Sequence, residues 1–125
     1  MKIIYKRIYA FLPFKKQVFS LLKHFWKPKS SIYKHLHFKG IITVPINDDR
    51  SFKMMHYGFQ VENDIFWSGL TGEWEKVSLD LWTKICESSD VIFDIGSNTG
   101  VYSLVAKTVN ENATVYALEP VNRVF

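Results

Sequence analysis

Cysteine is nearly missing from this chain of 125 residues: Cys86 is the only one. A single thiol forms neither an internal disulfide nor a zinc site, which points to a reducing compartment. No run of about 18 apolar residues occurs, so no segment reads as a membrane span. Lys2, Lys6 and Arg7 resemble the start of a signal peptide, but Pro13, Lys15 and Lys16 interrupt the apolar stretch that should follow. No small-x-small cleavage site follows either. The expected location is the cytoplasm, with contact to a bilayer only from its surface. His24, His35, His37 and His56 lack a metal-ligand spacing such as H-E-x-x-H, and no metal site is expected.

Acidic residues are absent from positions 1–39, which hold ten of the sixteen Lys and Arg residues. The other six basic residues share the rest of the chain with all twelve acids, a balance of −6 behind the overall +4. The sequence is thus a basic arm joined to a mildly acidic body. What it has in quantity is apolar and aromatic mass: 47% hydrophobic residues, with four Trp, six Tyr and ten Phe, against 22% charged. That excludes a disordered or fibrous chain and suits one domain.

Three segments follow from the periodicity. Residues 1–39 read as a basic amphipathic arm. Ile4, Ile8, Phe11 and Leu12 form a first helical piece stopped by Pro13, and Val18, Phe19, Leu22, Phe25 and Trp26 continue an apolar stripe in a second. Residues 27–31 read as a linker. Residues 40–71 read as a small antiparallel β unit: a strand from Ile41 to Ile46, edge-placed because of Pro45, a turn at Asn47–Ser51, and short strands over Phe52–Tyr57 and Phe59–Trp67, with Gly58 and Asn63-Asp64 as breaks. Residues 72–125 begin with a helix over Glu73–Glu87, its stripe carried by Trp74, Val77, Leu81 and Ile85. Val91–Ile95 is apolar on both faces, as central parallel strands are. A helix through Val101, Leu104, Val105 and Thr108, a turn at Glu111-Asn112 and a strand at Thr114–Leu118 complete a strand–helix–strand crossover, expected to be right-handed. Trp67, Trp74 and Trp82 are expected in the core.

The chemistry concentrates at Asp94-Ile-Gly96-Ser97-Asn98-Thr99-Gly100, where a strand gives way to a helix. In open α/β sheets ligands bind at that place. Gly96 permits a sharp turn close to a ligand, Ser97 and Asn98 are candidates to cap the helix, and its free N–H groups face an acidic group. Glu119 ends the second strand, 19 residues after Gly100. This is close to the roughly 20-residue spacing of the acid that holds ribose hydroxyls. A dinucleotide fingerprint fails, because Asn98 and Val101 stand where its second and third glycines belong. The pattern acid-x-Gly-x-x-x-Gly is met instead by Asp94, Gly96 and Gly100. A carboxylate beside this loop repels a diphosphate but suits the ammonium and sulfonium of S-adenosylmethionine. Plainer roles compete: Asp94 as a turn acceptor, and Glu73 and Glu75 as helix-start carboxylates favoured by the macrodipole.

Asp94-Ile-Gly-Ser-Asn-Thr-Gly-Val-Tyr-Ser103, followed by Val115-Tyr-Ala-Leu-Glu-Pro120, resembles the FkbM-type methyltransferases, class I enzymes that usually methylate hydroxyl groups. Gly72-Glu73-Trp74-Glu75 is similar to that family's lead-in. Ser97 departs from the alanine the family often carries. The resemblance covers residues 72–125 and implies an α/β fold, the strand–helix–strand start of a Rossmann-like methyltransferase sheet that continues past Phe125. It further implies that Gly96, Ser97, Asn98 and Gly100 line the methionine end of S-adenosylmethionine. Asp94 would orient its ammonium group and Glu119 take the ribose hydroxyls. The expected reaction is methyl transfer to oxygen on a sugar or other small hydroxylated acceptor, with the catalytic base and most of the acceptor pocket beyond Phe125. Residues 1–125 are accordingly expected to be an incomplete, inactive fragment. Two other readings stand beside this one. One is a non-catalytic protein that binds an anionic membrane surface through residues 1–29; the other is a dehydrogenase that binds NAD. Nucleic acid fits the arm poorly, because its aromatics fall on one stripe rather than between the charges.

Overall fold

The computed structural model describes residues 13–72 and 75–121. The first helical piece of the arm, Glu73 and Trp74 therefore lie outside the described residues. The elements, in chain order, are helices α1 (Lys15–Phe25) and α2 (Ser30–Tyr33), strands β1 (Gly40–Pro45) and β2 (Ser51–His56), and helices α3 (Gln60–Ser68) and α4 (Lys76–Cys86). Strand β3 (Val91–Ile95), helix α5 (Val101–Val109) and strand β4 (Thr114–Leu118) complete them. It is a small mixed α/β structure with two two-stranded sheets, β1–β2 antiparallel and β3–β4 parallel.

The hairpin forms as its sequence dictates. Alternation sends Ile42, Val44, Phe52, Met54 and His56 inward, and Pro45 ends β1 opposite Ser51, at the end of the ladder. Asn47 closes the turn, its side-chain carbonyl accepting from the N–H groups of Asp49 (3.1 Å) and Arg50 (2.8 Å). The inner face packs on Phe19, Phe38, Phe66 and Trp67, whose rings meet edge-on or tilted at centroid distances of 4.7–6.0 Å. This core is continuous with that of the crossover, where Val101, Val105, Ala106 and Val109 of α5 are buried together with Ile92 and Leu79. Arg50 ties the hairpin turn to the end of α5 by donating to the Val109 carbonyl at 3.2 Å.

Four expectations need correction. Residues 59–67, read as a strand, form helix α3. Asn63-Asp64 resembled a strand break, yet Asn63 is buried and donates to the Tyr33 carbonyl at 2.6 Å. Glu62 reaches back as a cap, one oxygen accepting from the N–H groups of Tyr57 (2.6 Å), Gly58 (3.0 Å) and Phe59 (3.2 Å). The linker at 27–31 ends early, because Ser30 and Ser31 open α2. Along α4 the stripe at Val77, Leu81 and Ile85 faces solvent, and Leu79, Trp82 and Cys86 pack inward instead. Both sets have helical spacing, and the Trp82 indole N–H bond to the Tyr102 carbonyl (2.9 Å) accompanies the inward set. Along α1 only Phe19 of the expected stripe is buried, while Val18, Leu22, Phe25 and Trp26 are exposed.

The crossover strands match their sequence pattern in position, and β3 pairs with β4 in parallel from Val91↔Thr114 to Ile95↔Leu118. Their C-terminal ends therefore emerge side by side. That is where the glycine loop sits. Among the described residues no helix is long and apolar enough to cross a membrane.

Candidate functional site

Residues 96–100 leave β3 through a bend built from three positive φ angles, Gly96 at 81°, Asn98 at 48° and Gly100 at 78°. Gly96 is required by that geometry, since a side chain at φ 81° is strained whatever space surrounds it. The bend is pinned to the end of β4. The Leu118 carbonyl accepts from the N–H of Gly96 (2.7 Å) and of Ser97 (3.1 Å). The Glu119 carboxylate accepts from the N–H of Asn98 at 2.8 Å with one oxygen and from that of Val121 at 2.8 Å with the other. Thus the acid that follows β4 meets the loop that ends β3.

Around this bend lies a cleft of about 200 Å³ lined by Glu75, Asp94, Gly96, Ser97, Asn98 and Tyr102, with Val61, Thr99 and Val101 completing it. Four of the six expected residues, Asp94, Gly96, Ser97 and Asn98, therefore share one cavity. Gly100 sits behind them as the residue preceding α5, and Glu119 joins them through Asn98 rather than through the cavity wall. The expected capping by Ser97 and Asn98 is not found: no side chain caps α5. Ser97 contributes its carbonyl to the Gly100 N–H (2.7 Å) instead, and its hydroxyl is buried with no hydrogen-bond partner among the described residues. Asp94 does not collect turn N–H groups; its Oδ2 accepts from the Ser103 hydroxyl at 2.5 Å, one turn into α5.

Of the lining residues outside the expected set, two are ionisable. Glu75 precedes α4 in a left-handed conformation (φ 41°), and its carboxylate accepts a hydrogen bond from the Tyr102 hydroxyl. Burial, and then the Glu75 carboxylate, push the Tyr102 phenol up to about 12, so it stays protonated near neutrality and serves as a donor. The signal for both was present, since each falls within a quoted motif; a helix-start carboxylate simply has a common structural role. Among the described residues the lining contains no Lys, Arg or His. Two carboxylates and a neutral phenol make this cleft hospitable to a cation and hostile to a diphosphate. Cys86 is buried, and burial followed by the Asp94 charge push its thiol up, which makes it a packing residue rather than a nucleophile.

Among the described residues no group of three or more His, Cys, Asp or Glu is placed to hold a metal ion. Comparison with protein-family models, curated proteins and solved structures gives no match.

Proposed function

We propose that the cleft binds S-adenosylmethionine and that the protein belongs to the methyltransferases of the FkbM type, with the two crossover strands as the start of a Rossmann-like sheet. One observation carries the reading. A glycine bend at the shared C-terminal edge of two parallel strands opens into a cleft lined by two carboxylates and, among the described residues, by no basic side chain. A dinucleotide site needs its diphosphate on the loop and helix N-terminus, and Asp94 opposes that charge. A sulfonium nucleoside with an ammonium group reverses the preference.

In this reading Asp94 keeps Oδ2 on Ser103 and offers Oδ1 to the ammonium group. Gly96, Ser97 and Asn98 approach the methionine portion, and the bare Cα of Gly96 and of Gly100 leaves the space that contact needs, since an added Cβ meets nothing within 4 Å at either. The carboxylate of Glu119 has about four lone-pair positions, of which the Asn98 and Val121 N–H groups use two. The others suit ribose hydroxyls. Held there, the cofactor would supply an electrophilic methyl for transfer to an acceptor hydroxyl, whose proton would pass to solvent. Acceleration comes chiefly from holding the two partners in line. The acceptor, a sugar or small hydroxylated metabolite, follows from the family resemblance alone.

Calorimetry with S-adenosylmethionine and with NAD separates this reading from a dehydrogenase. Heat with the first and none with the second is expected. Gly96→Val should weaken binding about tenfold or more, because it forces a β-branched residue to positive φ at a cost of about 1–3 kcal/mol. No heat with S-adenosylmethionine at millimolar concentration, or tight binding of NAD, would overturn it.

A further inference from the structure

The methyltransferase reading leaves the basic arm without a role, and the arm is where the structure departs most from its sequence pattern. Helix α1 contacts the core through Phe19, with Lys23 reaching across to donate to the Phe66 carbonyl at 3.1 Å over the Phe66 ring. Its opposite side is apolar and open. Phe14, Val18, Leu21, Leu22 and Phe25 recur at i, i+4, i+7, i+8 and i+11, which aligns them in one stripe. Phe14 is 71% exposed, Leu21 65% and Phe25 85%. A protein does not normally leave two phenylalanines and a leucine in a row in water without a use for them.

The charge around this ridge says what covers it. The described part of the arm, residues 13–39, carries seven Lys residues and no acid. No acidic residue sits in the first turn of α1, and Lys23 and His24 occupy its last turn. Lys27 and Lys29, both exposed, follow Phe25 within four residues. A protein partner of ordinary composition is not selected by such a pairing, but an anionic lipid surface is. Apolar side chains enter the headgroup–acyl boundary while lysines stay at the phosphate level. Each lysine near such a surface adds about fivefold to the partition.

We propose that α1 docks the protein on an anionic lipid bilayer, with Phe14, Leu21 and Phe25 inserted into the interface and Lys27 and Lys29 over the headgroups. The helix then lies in the membrane plane, held to the body by the Phe19 and Lys23 side. This is a surface attachment rather than a span.

The test is sedimentation of the full chain with vesicles of phosphatidylcholine alone and of phosphatidylcholine with phosphatidylserine. Partition only into the anionic vesicles is expected. Replacing Leu21→Ser with Phe25→Ser should reduce it about tenfold or more, given the apolar area withdrawn. Lys27→Gln with Lys29→Gln should reduce it about 25-fold at low salt. The matched control is Val77→Ser, which removes an equally bare residue from α4 and should change nothing; unchanged circular dichroism shows that each variant keeps its fold. The proposal is overturned by no binding to anionic vesicles, by equal binding to neutral ones, or by an equal loss in Val77→Ser. Partition that survives the Leu21 and Phe25 changes and is competed by duplex nucleic acid also overturns it. So does a dimer in sedimentation velocity that Phe25→Ser converts to monomer, which would make a second copy the occupant.

Discussion

The hairpin and the crossover are built from similar material, short strands rich in β-branched and aromatic residues, yet they are finished differently. In β1 and β2 the inward positions are Ile42, Val44, Phe52, Met54 and His56, and they meet a layer of aromatic rings from α1, α3 and the segment before β1. In β3 and β4 almost every residue is apolar, and α5 covers only one face. On the other, Phe93 is 59% and Ile95 79% exposed, and Phe93 stacks on Tyr116 with ring centroids 5.0 Å apart. Strand composition records how many faces a strand is suited to bury. The hairpin buries the one it needs. The crossover carries a second apolar face with solvent beside it, and the candidate cleft lies at the ends of its strands.

The sharpest way to break this comparison is to delete one ring from each half. Phe66 is buried against Phe38 and Trp67, and Phe66→Ala should cost about 3–5 kcal/mol in urea unfolding. Phe93→Ala removes the same ring from the bare face and should cost about 0.5–1.5 kcal/mol, the worth of its stacking on Tyr116. Equal costs would mean that the exposed face is in fact packed.

The next contrast is in pH dependence, which should belong to the hairpin half. His56 and Glu62 are both fully buried, with His56 Nδ1 at 3.3 Å from Glu62 Oε2. The Gly58 N–H is shared between that same Nδ1 and Glu62 Oε2, at 3.0 Å from each, and burial keeps the imidazole neutral, so the contact is not an ion pair. Burial lowers His56 to about 4, with the charge of His37 adding to it and hydrogen bonding, including to Asn63, opposing it. Between pH 6.5 and 4 the unfolded chain therefore takes up a proton that the folded chain refuses, and stability falls by about 3 kcal/mol as pH drops through that window. Glu62 works the other way: burial raises it, so acidification relieves its cost until the unfolded value is reached. Glu62→Gln removes that compensation, and its urea midpoint should fall more steeply from pH 6.5 to 4 than that of the unaltered chain. Tyr102 and Cys86, the shifted groups of the crossover half, are both raised on the alkaline side and contribute nothing in this range.

The same contrast explains what was legible in the sequence. Continuous apolar runs bounded by Ser-Asp and by Glu-Pro located β3 and β4, and a glycine bend between strand and helix located the cleft. The α3 helix was illegible because its buried side includes the polar Glu62 and Asn63, and Asn63-Asp64 reads as a break until the partners at Gly58 and Tyr33 are known. On α4 two apolar stripes compete, and periodicity alone does not say which one meets a neighbour. Glu75 and Tyr102 lie 27 residues apart, and their meeting depends on how α4 packs on α5, a tertiary fact that no local pattern encodes. The arm misled in the opposite sense: its stripe is real, and the core uses only one residue of it.

The smallest expected effect isolates the loop itself. Asn98 sits at φ 48°, where asparagine is tolerated at a modest cost and glycine at none. Asn98→Gly keeps the N–H that Glu119 binds, so the clamp on β4 survives. Relief of strain and the extra freedom of the unfolded chain are each about 0.4–1 kcal/mol and opposite in sign, so urea unfolding should change by less than about 0.5 kcal/mol. Binding is expected to respond differently. If the Asn98 side chain faces the methionine end of the cofactor, loss of its amide should weaken S-adenosylmethionine several-fold in calorimetry, on the order of the 0.5–1.5 kcal/mol of one hydrogen bond. A variant unchanged in both respects reduces Asn98 to a turn residue and leaves Asp94 and the Gly96 bend to carry the cation alone.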